Sequence, residues 1–223
     1  MEFIEYPDVE MMMIDLANKI AGELKTCLLE HDWASFAVPG GTTPGPIFDV
    51  LCAADLDWSR VHVMLTDERW VPESSERSNT RLIRERLLTG RAAAATLVPL
   101  YRDVPEPEDA LADLEAGLAK ELPISVMLLG MGADMHTASL FPGADRLEEG
   151  LTGDALLLPM RAPGAPEPRV TMTAKVLKGA MSRHIVITGD EKRAALESAR
   201  GMAPEQAPVA AVLAGTMVHW ARD

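Results

Sequence analysis

The chain of 223 residues carries 34 acidic side chains against 21 Lys and Arg, a formal net charge of −13, which argues against nucleic acid as its main partner because a phosphate backbone needs a basic face. Hydrophobic residues make up 48% and charged residues 25%, the composition of a globular chain with one full core, and a single domain over 1–223 is expected. No apolar run approaches the roughly 20 residues of a membrane span, and the acidic start MEFIEYPDVE lacks the apolar segment of a secretory signal, so a cytoplasmic protein without a membrane partner is expected.

In chain order, residues 8–30 read as an amphipathic helix. Met12, Leu16, Ile20 and Leu24 recur every four residues, Met13, Ala17 and Leu28 widen the stripe, and Asp8 is placed to cap it. Cys27 and Cys52 lack a CxxC spacing or neighbouring His and read as two buried thiols. Ser35–Val38 reads as a buried strand that stops at PGGTTP, with a helix over 44–54. Val61–Thr66 is a second strand, ending in Asp67-Glu68-Arg69. A helix over 79–88, a β-like run Thr96–Leu100 and an acidic helix over 108–121 follow. Ile124–Leu129 is the third strong strand. Ala155–Met160, Val170–Thr173 and His184–Thr188 are further strands, with helices near 174–181 and 190–199 and a last apolar segment ending at Trp220. The loop RAPGAPEP at 161–168 is a candidate mobile flap. Strands alternating with helices predict a three-layer α/β/α fold with a mainly parallel sheet. Right-handed crossovers bring the ends of the three strong strands to one edge, where open α/β sheets place their sites.

Each of those ends carries unusual chemistry. Gly40, Gly41, Thr42 and Thr43 lie between a strand and a helix, where backbone N–H groups can cradle an anion. The turn is neither GxGxxG nor a P-loop, so a nucleotide is not indicated. Taken alone, it reads equally well as a tight turn before a capped helix. Asp67 can orient a sugar hydroxyl or act as a base, and Arg69 can grip a phosphate through two parallel hydrogen bonds; the plainer reading is an exposed ion-pair cluster.

In VMLLGMGADMHTASLFPG (126–143), His136 is the one histidine of five in a glycine-rich strand-end loop, two residues after Asp134. A lone histidine is more often structural. An unperturbed imidazole titrates near pH 6.5, though, and the Asp-x-His spacing lets Asp134 or the backbone fix the tautomer of a general base. Arg169 and Lys192 are further cations for an anion, or else a loop cap and a surface lysine. No GxSxG elbow, reactive cysteine or metal-ligand spacing is present. What remains is acid–base work on a small molecule.

PGGTTP, LTDERWVPESSERSN, LGMGADMHTASLFPG, PRVTMT and GDEK, in that order over residues 39–192, resemble the 6-phosphogluconolactonase family. The DERxVP…SN and HTASLFP segments are the specific ones. The resemblance implies the fold shared with glucosamine-6-phosphate deaminases and ribose-5-phosphate isomerases. It also implies hydrolysis of 6-phospho-D-glucono-1,5-lactone to 6-phosphogluconate in the oxidative pentose phosphate pathway, with no cofactor or metal. On that reading His136 activates water and Asp134 orients the site. Asp67 meets sugar hydroxyls, and Arg69, Arg169, Lys192 and Gly40–Thr43 hold the 6-phosphate. The partner is a small sugar-phosphate lactone, and the chain is expected as a monomer or weak homo-oligomer. The alternative is a deaminase or isomerase acting on a hexosamine 6-phosphate with Asp67 as base. A third reading is a sugar-phosphate sensor without turnover, hinted at only by Met135. The family usually has glycine between the Asp and the His, and a methionine held there at positive φ would cost on the order of 1 kcal/mol.

Overall fold

The computed structural model describes residues 1–223. In chain order it forms β1 (Glu2–Tyr6), α1 (Val9–Glu30), β2 (Ala34–Val38), α2 (Gly45–Leu51), β3 (Val61–Leu65), β4 (Asp67–Arg69) and α3 (Asn79–Arg86). Then come β5 (Thr96–Val98), α4 (Pro107–Leu118), β6 (Val126–Gly130), α5 (Leu147–Thr152), β7 (Leu157–Met160), β8 (Arg169–Met172), α6 (Ala174–Gly179), β9 (Ser182–Thr188), α7 (Gly189–Ala199) and β10 (Met217–Ala221). Seven strands make one sheet in the order β1-β10-β9-β6-β2-β3-β5. Every pair in it is parallel, with helices on both sides.

The sequence pattern accounts for this sheet. All five residues of β2 are buried, as expected of a parallel strand covered on both faces. In α1 the whole expected stripe, Met12, Met13, Leu16, Ala17, Ile20, Leu24 and Leu28, is buried. Burial of each long apolar side chain there contributes roughly 1.5–3 kcal/mol. Asp8 caps the helix by accepting from Met11 N at 2.8 Å, worth about 1 kcal/mol.

Four features depart from the expectations. β1 was not foreseen, because EFIEY is short, acidic and half-exposed at the sheet edge. The six-residue α5 carries too little periodicity to be read. Cys27 and Cys52 are only half-buried. Most consequentially, Asp67-Glu68-Arg69 is not a strand-end loop. It forms β4, which pairs antiparallel with β8, itself paired with β7, in a separate three-stranded sheet. Three consecutive charges are a poor strand by propensity, and the pairing with β8 overrides it. The 161–168 loop is tethered at both ends: Arg161 bonds Glu106 and Glu108, and Glu167 pairs with Arg77.

Candidate active site

The carboxyl ends of β2, β3 and β6 and the small sheet enclose a cleft of about 270 Å³. It is lined by Gly40, Gly41, Thr42, Thr43, Asp67, Arg69, His136, Arg169 and Lys192, and also by Asn79 and Ala138. These are all the site residues expected from the sequence except Asp134, which stands behind the imidazole.

The loop after β6 builds the histidine. Gly132 N donates to His136 O at 3.1 Å, and any Cβ on Gly132 would overlap the imidazole and Asp134, so only glycine fits there. Asp134 Oδ1 lies 2.5 Å from His136 Nδ1 and also accepts from His136 N at 3.3 Å. A carboxylate only accepts, so Nδ1 carries the proton and Nε2 keeps its lone pair for chemistry. Met135 sits at φ 65° and Ala138 at φ 48°, left-handed conformations that cost non-glycine residues on the order of 1 kcal/mol each. Met135 is held there because its carbonyl accepts from Val209 N at 3.0 Å and its side chain packs against the core.

The small sheet supplies the cations. Cross-strand register sets Asp67 against Thr171 and Arg69 against Arg169. Two like charges directly opposite destabilise a strand pair. Here their Nε atoms are both buried without a partner, an arrangement suited to an anion. Arg69 is steadied by a bond from Nη1 to Arg77 O at 2.8 Å. Burial pushes the Arg169 pKa below the usual guanidinium range, with Asp67 opposing that shift and Arg69 adding to it. Asp67 Oδ2 accepts from Ser139 Oγ at 2.6 Å and lies 3.7 Å from Arg169 Nη1. The Phe141 ring lies 4.3 Å from that of His136, and the Arg169 guanidinium carbon lies 5.4 Å from its centroid, a cation–π distance.

Two residues in this wall escaped the sequence reading. Glu68 is fully buried and accepts from Arg69 N, Asn79 N, Thr80 N and Thr80 Oγ1 at 2.7–2.8 Å. Ser78 Oγ adds a longer bond at 3.2 Å. Burial pushes its carboxyl pKa up, and these donors only partly offset that. Glu68 thus nails the first turn of α3 to β4. Asn79, held by that turn, donates through Nδ2 to Asp67 O at 3.0 Å, and its amide fills the space a Cβ on Gly40 would need. Once Asp67–Arg69 pairs with β8 as a strand, alternation sends Asp67 and Arg69 to one face and Glu68 to the other.

On the opposite wall, Gly41 adopts φ +86°, and the N–H groups of Gly40–Thr43 make no hydrogen bond within the chain. Lys192, in the first turn of α7, faces the same cleft. No group of three or more His, Cys, Asp or Glu is gathered in a way that would hold a metal ion.

Residues 7–220 match the family model described as glucosamine-6-phosphate isomerases/6-phosphogluconolactonase. The chain is 42% identical to a 6-phosphogluconolactonase of Mesorhizobium japonicum over 211 residues, 93% of this chain and 88% of the relative. To one from Pseudomonas aeruginosa it is 40% identical over 210 residues, 92% and 88% of the two chains. The crystal structure of a 6-phosphogluconolactonase from Shewanella baltica matches with a TM-score of 0.92 at 31% identity, covering 99% of this chain and 97% of the other. A monomeric glucosamine-6-phosphate deaminase shares the fold, with a TM-score of 0.82 at 16% identity and coverage of 100% and 97%. The chain belongs to the glucosamine-6-phosphate isomerase/6-phosphogluconolactonase family.

Proposed function

We propose that the chain hydrolyses 6-phospho-D-glucono-1,5-lactone to 6-phosphogluconate, the lactone-opening step of the oxidative pentose phosphate pathway. One observation carries the reading. The Asp134–His136 pair opens onto the same small cleft as Arg69, Arg169, Lys192 and the unbonded N–H groups of Gly40–Thr43. That puts a base and an anion anchor in one cleft, as a phosphorylated lactone requires.

In this mechanism His136 Nε2 takes a proton from water as the water oxygen attacks the lactone carbonyl. Backbone N–H groups of the glycine-rich loops stabilise the oxyanion. The tetrahedral intermediate collapses with cleavage of the bond from C1 to the ring oxygen, and that oxygen takes the proton back from the imidazolium. The product acid then ionises. Asp134 stabilises the transient imidazolium, and Asp67 meets sugar hydroxyls. Arg69, Arg169, Lys192 and the Gly40–Thr43 turn hold the phosphate, giving an acidic protein the local positive field its anionic substrate requires.

The test is a coupled assay of lactone opening corrected for spontaneous hydrolysis. His136→Ala should lower turnover by about 10²–10⁴-fold, and parent-like turnover in that variant would end this role for His136. The deaminase reading predicts ammonia release from glucosamine 6-phosphate.

A further inference from the structure

Ser139 is fully buried, yet none of the chemistry above uses it. Its hydroxyl reaches Asp67 Oδ2 at 2.6 Å from 72 positions away in the chain. Its main-chain N–H donates to Thr171 Oγ1 at 3.1 Å. Asp67 and Thr171 are partners across the β4–β8 pair, so Ser139 grips both members of one rung of the small sheet. Its neighbours fix where it points. Thr137 Oγ1 ties the loop back to Gly130 O at 2.9 Å, and the left-handed Ala138 turns the chain inward just before the serine. Two loop residues then reach Arg169 by separate routes: Ser139 through Asp67, and Phe141 through its ring.

We propose that Ser139 is a positioning residue for the anion site. By occupying Oδ2 of Asp67 it keeps that carboxylate 3.7 Å from Arg169 Nη1, short of a close ion pair. The guanidinium, with its buried Nε unpartnered, then stays available to an incoming phosphate. Without the hydroxyl, Asp67 turns onto Arg169 and competes with the ligand. The inference rests on Arg169 as a phosphate ligand, as proposed above.

The experiment measures affinity for inorganic phosphate on the whole chain, from the rise in unfolding midpoint with phosphate concentration. Ser139→Ala should bind phosphate about tenfold more weakly than the parent, the scale of one hydrogen bond to a charged group, and Ser139→Thr, which keeps the hydroxyl, should stay within about threefold. In an Asp67→Ala background the competing carboxylate is gone, so S139A should change affinity by no more than about twofold. Unchanged phosphate affinity in S139A, or the same tenfold loss on top of D67A, overturns the proposal. If D67A does not fold, the contrast between S139A and S139T decides: a gap near tenfold supports it and equal affinities overturn it. Turnover is assayed separately. A chain that binds phosphate with this pattern but opens no lactone sinks the lactonase reading and leaves the place of Ser139 intact.

Discussion

Two histidine systems occupy the same parallel sheet, and both contain a histidine next to a carboxylate. His136 and Asp134 stand above the carboxyl edge, partly exposed, in a cleft lined by cations. His184 and His219 lie lower, on β9 and β10, both fully buried. There the chain of contacts runs from Glu23 Oε2 to His184 Nε2 at 2.8 Å and from His184 Nδ1 to His219 Nε2 at 3.0 Å. It continues from His219 Nδ1 to Tyr6 Oη and on to Asp15 Oδ2, both at 2.9 Å. In the lower system every ring nitrogen is spoken for, and neither ring lines the cleft. In the upper one Nδ1 is held and Nε2 is free. A carboxylate beside a histidine is therefore no mark of a site by itself; what sets the upper pair apart is a free second nitrogen on a cleft lined by cations.

The largest effect that tests this contrast is the exchange of the two histidines' roles under substitution. H136A should lose about 10²–10⁴-fold in turnover with its unfolding midpoint little changed. His184→Ala should do the reverse, keeping turnover per folded molecule within about threefold while losing on the order of 3 kcal/mol of stability. A turnover loss in H184A matching that in H136A would break the comparison.

Next in size, Arg169→Ala should raise KM for the phosphorylated lactone about 10- to 100-fold with a smaller change in kcat, because a charge-assisted phosphate contact is lost. A non-phosphorylated lactone should show no such rise.

The lower system should also dominate the response to mild acid. Burial, with His184 and Lys19 adding to it, holds the His219 pKa down to about 3 against 6.5 for the free side chain. Between those values the unfolded chain binds the proton and the folded chain does not. Stability is thus fully present above pH 6.5 and is lost as pH falls toward 3. From pH 7 to pH 5 the loss should be about 2 kcal/mol in urea titrations. His219→Gln should flatten that slope, and an unflattened slope would assign the proton uptake elsewhere.

The smallest effect concerns the loop that carries His136. Met135→Gly removes the left-handed strain but adds backbone freedom and loses core packing, so stability should move by less than about 1 kcal/mol. Turnover should be retained, and its loss would mean that the methionine side chain itself sets the histidine.

Much of this was legible in the sequence, for physical reasons. The four-residue recurrence from Met12 to Leu24, with Asp8 before it, specifies α1 because helix burial and capping are local. The apolar runs ending in glycine or charge placed nine of the expected site residues on one cleft, since parallel crossovers leave little choice of edge. What could not be read depends on distant partners. β4 exists because of β8, about 100 residues later. Ser139 and Glu68 look like ordinary loop polar groups until those strands meet. β1 has too few apolar residues to declare itself and is specified by the register of β10.

That last pairing bears on how the molecule is made. β1 has one neighbour in the sheet, and that neighbour is β10, from the far end of the chain. As a ribosome delivers the sequence, the first strand emerges with nowhere to dock and waits for the last. The interval leaves the edge formed by β9 uncovered, and with it the side of His184 that His219 later closes. Closure of this edge of the sheet therefore waits on β10. Removing Met217–Ala221 should leave β1 without a partner and the β9 edge open.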